Sequence, residues 1–426
     1  MKFLKQVSLY TLVGVISAGI NFLMMPLLSR HLSPADYGLL SLFNTYVIIL
    51  LPIVSISAYS LLSVEYFKQK NKKVFSSQFS SIQIIPFINA LLLALVTWGF
   101  YGRFADKLEL QDTGIKWGFI ILLITLLNIY CDQFIQYLIL QKKARKFALY
   151  SLLKVGVEVT LTFYFIVIKG WNWEGRMYSW LIASALFFIC GFIYFYKEGL
   201  LQGRVQWKFM REGIAFGAPL VLHGIGKFVV NQSDRLFIVK MVSLEEAGVY
   251  NVGYTIGTLV MIVVNAFFNF YTPFLMERLG NVDKEKRLQI VKMGYFYFGG
   301  CLLLLLLIIL LTPMFFRYFI DLRYVEAVKY VFWVALGYCF WGGYMLFSGF
   351  IFFFKRNYIL GWLSIFNVIT NLILNYILIN AYGAIGAAYA TALSFLLIML
   401  MVMYITHRFM PLPWFSYRSI KTVKLT

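Results

Sequence analysis

The 426-residue chain has little charge: only 13% of its residues are Asp, Glu, Lys or Arg. A soluble domain needs about a quarter to clothe its surface. With 61% hydrophobic residues, this chain cannot build a polar shell around one core. Cysteine is scarce. Cys131, Cys190, Cys301 and Cys339 each stand alone in apolar sequence with no CxxC pair, which excludes a disulfide framework or a cysteine metal knuckle and leaves them as small packing residues. The three histidines, His31, His223 and His407, are too few and too scattered for a metal centre, so no metal or other cofactor is expected. Long polar connections are missing too. The longest, 272–292, has room for a short surface helix but not for a catalytic domain.

What is present is a series of apolar runs of about 20 residues, the length that crosses a hydrocarbon core of about 30 Å. They fall at 7–29, 38–62, 79–101, 117–139, 147–168, 177–196, 214–239, 248–271, 293–312, 330–353, 358–380 and 384–405. The fold class expected is all-α and polytopic, with twelve transmembrane helices in two pseudo-symmetric six-helix bundles around a central cleft. The first run follows Lys2 and Lys5 as a signal peptide would. It is longer than a typical signal core and no A-x-A site follows, so it is expected to be retained.

The 38 Lys and Arg give a net charge of +20, and their placement decides its meaning. With the N-terminus in the cytoplasm, more than twice as many basic residues lie inside as outside, and the clusters Lys68-Lys70-Lys72-Lys73 and Lys142-Lys143-Arg145-Lys146 are inside. This is the positive-inside pattern. It puts both termini of an inner-membrane protein in the cytoplasm, and it accounts for the basic excess without nucleic acid. The 19% aromatic content includes Tyr and Trp near span ends, Trp171 and Trp173 among them, which read as interfacial anchors and not as sugar-stacking platforms.

The chain repeats itself. Adding about 210 to the start of each of the first six spans reaches the start of one of the second six. At that offset Asn21 meets Asn231, Arg30 meets Lys240, Ser33 meets Ser243, Gly38 meets Gly248 and Thr45 meets Thr255. An even number of spans per half makes the repeat parallel. The expected lobes are residues 1–205 and 206–426.

Charge within a span costs roughly 2.5–3.5 kcal/mol at its centre, so intramembrane ionisable residues mark candidate sites. The seventh span carries His223, Lys227, Asn231, Asp234 and Arg235 on one helical face. That stripe reads as cavity lining, with a structural ion pair as the other reading of Asp234 and Arg235. The fifth span carries Ser151, Lys154, Glu158 and Thr162, where Lys154 and Glu158 stand one turn apart and can pair as a structural bridge or a switchable site. The eleventh carries Asn367, Asn371 and Asn375, as cavity lining or as interhelical glue. Asp132, beside Gln133 and Gln136, is a weaker candidate. Cations in excess of acids suit an anionic ligand such as a pyrophosphate.

Three stretches carry a resemblance: PLLSRHLSPADYGLLSL after the first span, NQSDRLFIVKMVSLEEAGVYNVGY from Asn231 to Tyr254, and NAYGAIGAAYATALSFLL from Asn380. Together they resemble the polysaccharide transporter family, the repeat-unit flippases of the MATE-like superfamily. The resemblance implies that the chain is no enzyme. It implies a carrier that moves an undecaprenyl-pyrophosphate-linked oligosaccharide to the outer leaflet by alternating access, with H+ or Na+ coupling in some members. Lys227 and Arg235, with Lys154, would hold the pyrophosphate. Membrane lipids, a polysaccharide polymerase and chain-length proteins are the partners it suggests. A cation-coupled multidrug antiporter of the same superfamily and an integral-membrane polysaccharide enzyme stay open as alternatives. The first span has no acid, which speaks against the antiporter branch.

Overall fold

The computed structural model describes residues 2–69, 71–105, 114–280 and 283–414, and regular structure among them is helical. The helices are α1 (Lys2–His31), α2 (Pro34–Ser55), α3 (Ser60–Lys68), α4 (Lys72–Ala105), α5 (Ile115–Leu140), α6 (Ala144–Phe163), α7 (Trp173–Lys197), α8 (Trp207–Met241), α9 (Leu244–Gly257), α10 (Leu259–Gly280), α11 (Lys284–Phe319), α12 (Val328–Phe353), α13 (Asn357–Tyr382) and α14 (Ile385–Phe409). Among the described residues, eleven stretches are long and apolar enough to cross a membrane, or 12 when the two bent segments of α8 count as one span. Every expected span has its counterpart. Large apolar side chains lie open along them, as Leu302, Leu303, Leu306 and Leu310 do on α11. Acyl chains solvate such a face; water would not.

Three expectations change. The second expected span is two helices. Ile56 and Ser57 take left-handed backbone angles between α2 and α3, a conformation a β-branched residue rarely adopts. Neighbours hold the break: Asn89 Nδ2 donates to the Val54 carbonyl at 3.1 Å, and the Ser57 N–H donates to Ser55 Oγ at 3.0 Å. Gly217 of α8 lies so close that any Cβ there would collide with the Ile56 carbonyl. The 272–292 loop with its surface helix is replaced by two extended helices, α10 to Gly280 and α11 from Lys284. Asp283 starts the latter by accepting from the Lys286 N–H at 2.7 Å, a cap that lengthens the helix outward from the apolar run. Finally, α8 is not straight: Trp207–Gly226 and Phe228–Met241 are bent by 48°.

The chain divides into two compact units, Met1–Phe228 and Val229–Thr426. The division falls within α8, whereas a boundary at 205/206 lies in the α7–α8 connection. The first stretch of α8 packs with the first unit: Gly213 faces Ile82 and Ala58, and Gly224 faces Pro52.

In the first unit Phe79, Phe134, Tyr137, Tyr150, Phe187 and Phe195 form an aromatic core where α4, α5, α6 and α7 meet. Rings meet edge-on, as Phe134 and Tyr150 do at 4.6 Å. Tyr150 Oη reaches the Phe187 carbonyl at 2.9 Å, so its one polar atom is satisfied. In the second unit α12 lies closely against α14. Gly337 faces Ala392, and Ala387, Ala388, Ala390 and Ala392 are buried. In a bilayer burial from water cannot drive helices together, so contact depends on small residues that let backbones approach.

The repeat has a local counterpart. Ser33 caps α2, its Oγ accepting from the Asp36 N–H at 3.1 Å while the Asp36 carboxylate accepts from the Ser33 N–H at 3.2 Å. Ser243, its partner at the 210 offset, caps α9 by accepting from the Glu246 N–H at 3.1 Å. Both caps follow a long helix and begin one that soon breaks, at Ile56–Tyr59 in one half and at Thr258 in the other.

Candidate functional site

The α6 stripe does not form the expected Lys154–Glu158 bridge. Glu158 Oε1 instead meets Nη2 of Arg176 at 2.6 Å, with the two side chains 16% and 19% exposed. Nη1 of Arg176 donates to Thr162 Oγ1 at 2.8 Å. Glu158 and Thr162 stand one turn apart, and a planar guanidinium spans both, which a point-like ammonium cannot do. Arg176, one residue before the span expected at 177–196, lies in the first turn of α7, which packs along α6.

Glu158 being engaged, Lys154 turns elsewhere. Its Nζ donates to Asn128 Oδ1 on α5 at 2.8 Å, and Ser184 Oγ of α7 reaches the same oxygen at 3.4 Å. Among the described residues no carboxylate lies within 4.0 Å of this ammonium. Asp132, one turn beyond Asn128 and exposed, lies within electrostatic reach of it without closing an ion pair. This half-buried amine near mid-span thus has the Asn128 amide as its hydrogen-bond partner. Ser151 Oγ and both amide atoms of Gln133 are buried without a hydrogen-bond partner among the described residues, so polar groups outnumber their protein partners on α5 and α6.

In the second unit the charges are closed in. Asp234 and Arg235 side chains are each 4% exposed and meet at 2.7 Å. Arg235 also donates to the Asn231 carbonyl at 2.9 Å and to Asn251 Oδ1 at 3.3 Å, and its guanidinium lies over the Tyr254 ring at 3.9 Å. Tyr250 Oη donates to Asp234 Oδ2 at 2.5 Å, and Tyr254 and Tyr338 share a hydrogen bond of 2.7 Å. Arg235 is therefore not an open cavity cation. An aromatic box and a neighbouring carboxylate hold its charge, because a buried charge persists only when paired and hydrogen-bonded. His223 is exposed on the first stretch of α8, Asn231 is half-buried on the second, and the side chain of Lys227, at the bend, lies outside the described residues. The single continuous stripe expected from His223 to Arg235 presupposed a straight helix.

Of the asparagines of α13, Asn371 reaches the next helix and Asn375 bonds to Asn371, while Asn367 Oδ1 finds no hydrogen-bond partner among the described residues. Asn375 Nδ2 donates to Asn371 Oδ1 at 3.0 Å, and Asn371 Nδ2 to Ser394 Oγ of α14 at 3.3 Å. All three, Asn367 included, are buried. The equivalent helices α6 and α13 use their polar stripes alike, each tying itself to the next helix in sequence, by ions in the first unit and by amides in the second.

A family model described as "Polysaccharide biosynthesis protein" matches residues 3–277, well over half of the sequence. The chain belongs to this family. "Lsg locus putative protein 1" of Haemophilus influenzae is 25% identical over 303 residues, which are 69% of this chain and 70% of that one. Among solved structures, a multidrug resistance MATE family transporter of the MOP superfamily in its inward-facing conformation superposes with a TM-score of 0.74 at 14% identity, covering 96% of each chain. The lipid II flippase MurJ superposes with a TM-score of 0.64 at 16% identity, covering 93% of this chain and 87% of that one. The protein is a multi-pass membrane member of the polysaccharide biosynthesis family with the fold of MOP-superfamily transporters.

Within this polysaccharide biosynthesis protein, the resembling motifs turn out to be folding devices. The serine of LSPADYG is the α2 cap. The DRL and VYNVGY pieces supply Asp234, Arg235, Tyr250 and Tyr254 to the aromatic box. In NAYGAIGAA, Gly383 ends α13 at φ 68° and starts the turn into α14. Sequence reasoning missed Asn128, Arg176, Ser184, Tyr250 and Tyr338. One signal was available: the 210 offset pairs Asn128 of α5 with Tyr338 of α12, and each makes a side-chain hydrogen bond in its unit's polar network.

Proposed function

We propose that the chain is a flippase that carries an undecaprenyl-pyrophosphate-linked oligosaccharide across the inner membrane by alternating access, with both termini cytoplasmic and with H+ or Na+ movement as the energy source. Family membership supports a role in polysaccharide assembly. The observation that carries the anionic cargo is Lys154, an ammonium within a membrane span that closes no ion pair among the described residues: Glu158, one turn along α6, is taken by Arg176, and Asp132 lies within electrostatic reach only. A lone amine in a span is costly. A pyrophosphate passing at about 4 Å would offset that cost by about 4 kcal/mol at an effective dielectric of about 20. Asn128 holds the amine in place between passages without neutralising it. Lys227 is the second amine of this reading, and Arg235 has a structural part.

The test is complementation of a deletion strain. Lys154→Gln should abolish surface polymer and leave the lipid-linked repeat unit in the inner leaflet, at normal protein level. Lys154→Arg should retain part of the output. Full output from Lys154→Gln would refute the assignment, and undiminished polymer in the deletion strain would refute the function.

A further inference from the structure

We infer that the turn between α6 and α7 forms a binding subsite for a pyranose ring of the cargo. This deepens the proposed function and rests on the reading that the cargo carries sugar. Gly170, Trp171, Asn172, Trp173, Glu174 and Tyr178 line a concavity of about 480 Å³, large enough for one or two sugar rings. By span count it lies at the face opposite the N-terminus, where a sugar carried outward would emerge.

The turn is built to hold one ring rigidly. α6 closes in a π-helical turn, Tyr164–Ile168, and Gly170 follows with φ 67°. The Trp171 N–H then donates back to the Phe165 carbonyl at 2.9 Å. Phe165 stacks on Trp171 at 4.7 Å with the planes 11° apart. One indole face is thus backed by protein while 42% of the residue stays open. Beneath, Trp173 leans on Trp117 at 4.5 Å and on Phe43 at 5.3 Å, and Trp171 meets Tyr178 edge-on at 5.7 Å. Lys116 Nζ lies over both Trp117 and Tyr178 at 5.2 Å, fixing the floor further.

Anchoring at the interface requires only a ring at headgroup depth, which is how the sequence reads Trp171 and Trp173. Anchoring does not account for the polar groups beside them. Asn172 occupies the cap position of α7, yet its side chain makes no capping hydrogen bond, and the residue lines the concavity. Glu174 is exposed next to it. A pyranose presents C–H bonds on one face and hydroxyls around its edge. An open indole face flanked by an amide and a carboxylate matches both, with the carboxylate accepting from hydroxyl pairs and the amide giving and accepting.

The probe is the soluble repeat-unit oligosaccharide released by mild acid from surface polysaccharide of the producing cells. Binding to the full-length protein in lipid nanodiscs is followed by saturation-transfer NMR. Trp171→Leu keeps an apolar anchor and removes the aromatic face. It should weaken binding about tenfold at unchanged thermal stability, and Asn172→Ala should weaken it further in combination. Wild-type affinity in Trp171→Leu, or no binding of the probe by the wild type, overturns the subsite. These outcomes separate from failure of the flippase reading. If the deletion strain lacks surface polymer while Trp171→Leu binds normally, only the subsite falls; if the deletion strain keeps its polymer, the flippase reading falls whatever the binding shows.

Discussion

Arg176 decides whether Lys154 is free, and replacing it tests that dependence. In Arg176→Gln the Glu158 carboxylate loses its 2.6 Å partner, and Thr162 Oγ1 loses a 2.8 Å donor. Removing one partner of a buried pair costs about 3–5 kcal/mol. Side-chain exposures of 16% and 19% place this pair near the lower end, about 3 kcal/mol. The orphaned carboxylate stands one turn from Lys154, the spacing at which the two can pair. Arg176→Gln should therefore both destabilise the protein and quench the ammonium, so that transport falls even in molecules that remain folded. Adding Glu158→Gln removes the stranded charge. The double variant should regain most of the stability and, with Lys154 again unclaimed, most of the surface polymer. Thermal unfolding in detergent reads the first effect and complementation of a deletion strain the second. An Arg176→Gln variant as stable as wild type would refute the buried pairing of Glu158 with Arg176. A double variant that recovers stability but not transport would refute the dependence of Lys154 on Arg176, because Arg176 would then act on the cargo directly.

Two further outcomes follow from the same geometry. Ser33→Ala and Ser243→Ala should each cost about 1 kcal/mol, because each removes one cap from an equivalent helix start; a difference of more than about 1 kcal/mol between them in unfolding would contradict the local equivalence of the halves. Tyr250→Phe should lower stability by about 1.5–3 kcal/mol by taking a hydroxyl from the Asp234 carboxylate, with surface polymer per folded molecule unchanged; a selective loss of transport would bring the Asp234–Arg235 box back as a cargo site.

The span pattern was legible because a bilayer imposes a one-dimensional rule: length and apolarity must suffice segment by segment, and among the described residues eleven stretches satisfy it outright, with bent α8 as the twelfth. The repeat was legible for a related reason, since spacings and the Ser33 and Ser243 caps are local features. Helix breaks were less so. Between residues 54 and 60 there are three serines but no glycine or proline to mark a turn, and the left-handed pair Ile56–Ser57 is held by contacts from Asn89 and Gly217 that only folding supplies. Extended helix ends were misjudged because hydropathy locates the apolar middle, while caps such as Asp283 fix where the helix begins.

The sequence by itself determined that charged residues must sit in the spans and, where a helix runs straight, which face each occupies, because a helix's periodicity is a property of one segment. Which charge pairs with which was left to the tertiary structure. Lys154 and Glu158 are neighbours in sequence, yet Glu158 goes to Arg176 of another helix, and Arg235, one residue from Asp234, is walled in by tyrosines 15 and 19 residues further along. Electrostatic partnership depends on distances of a few ångströms across helix interfaces. Those distances are set by packing, which no single span encodes.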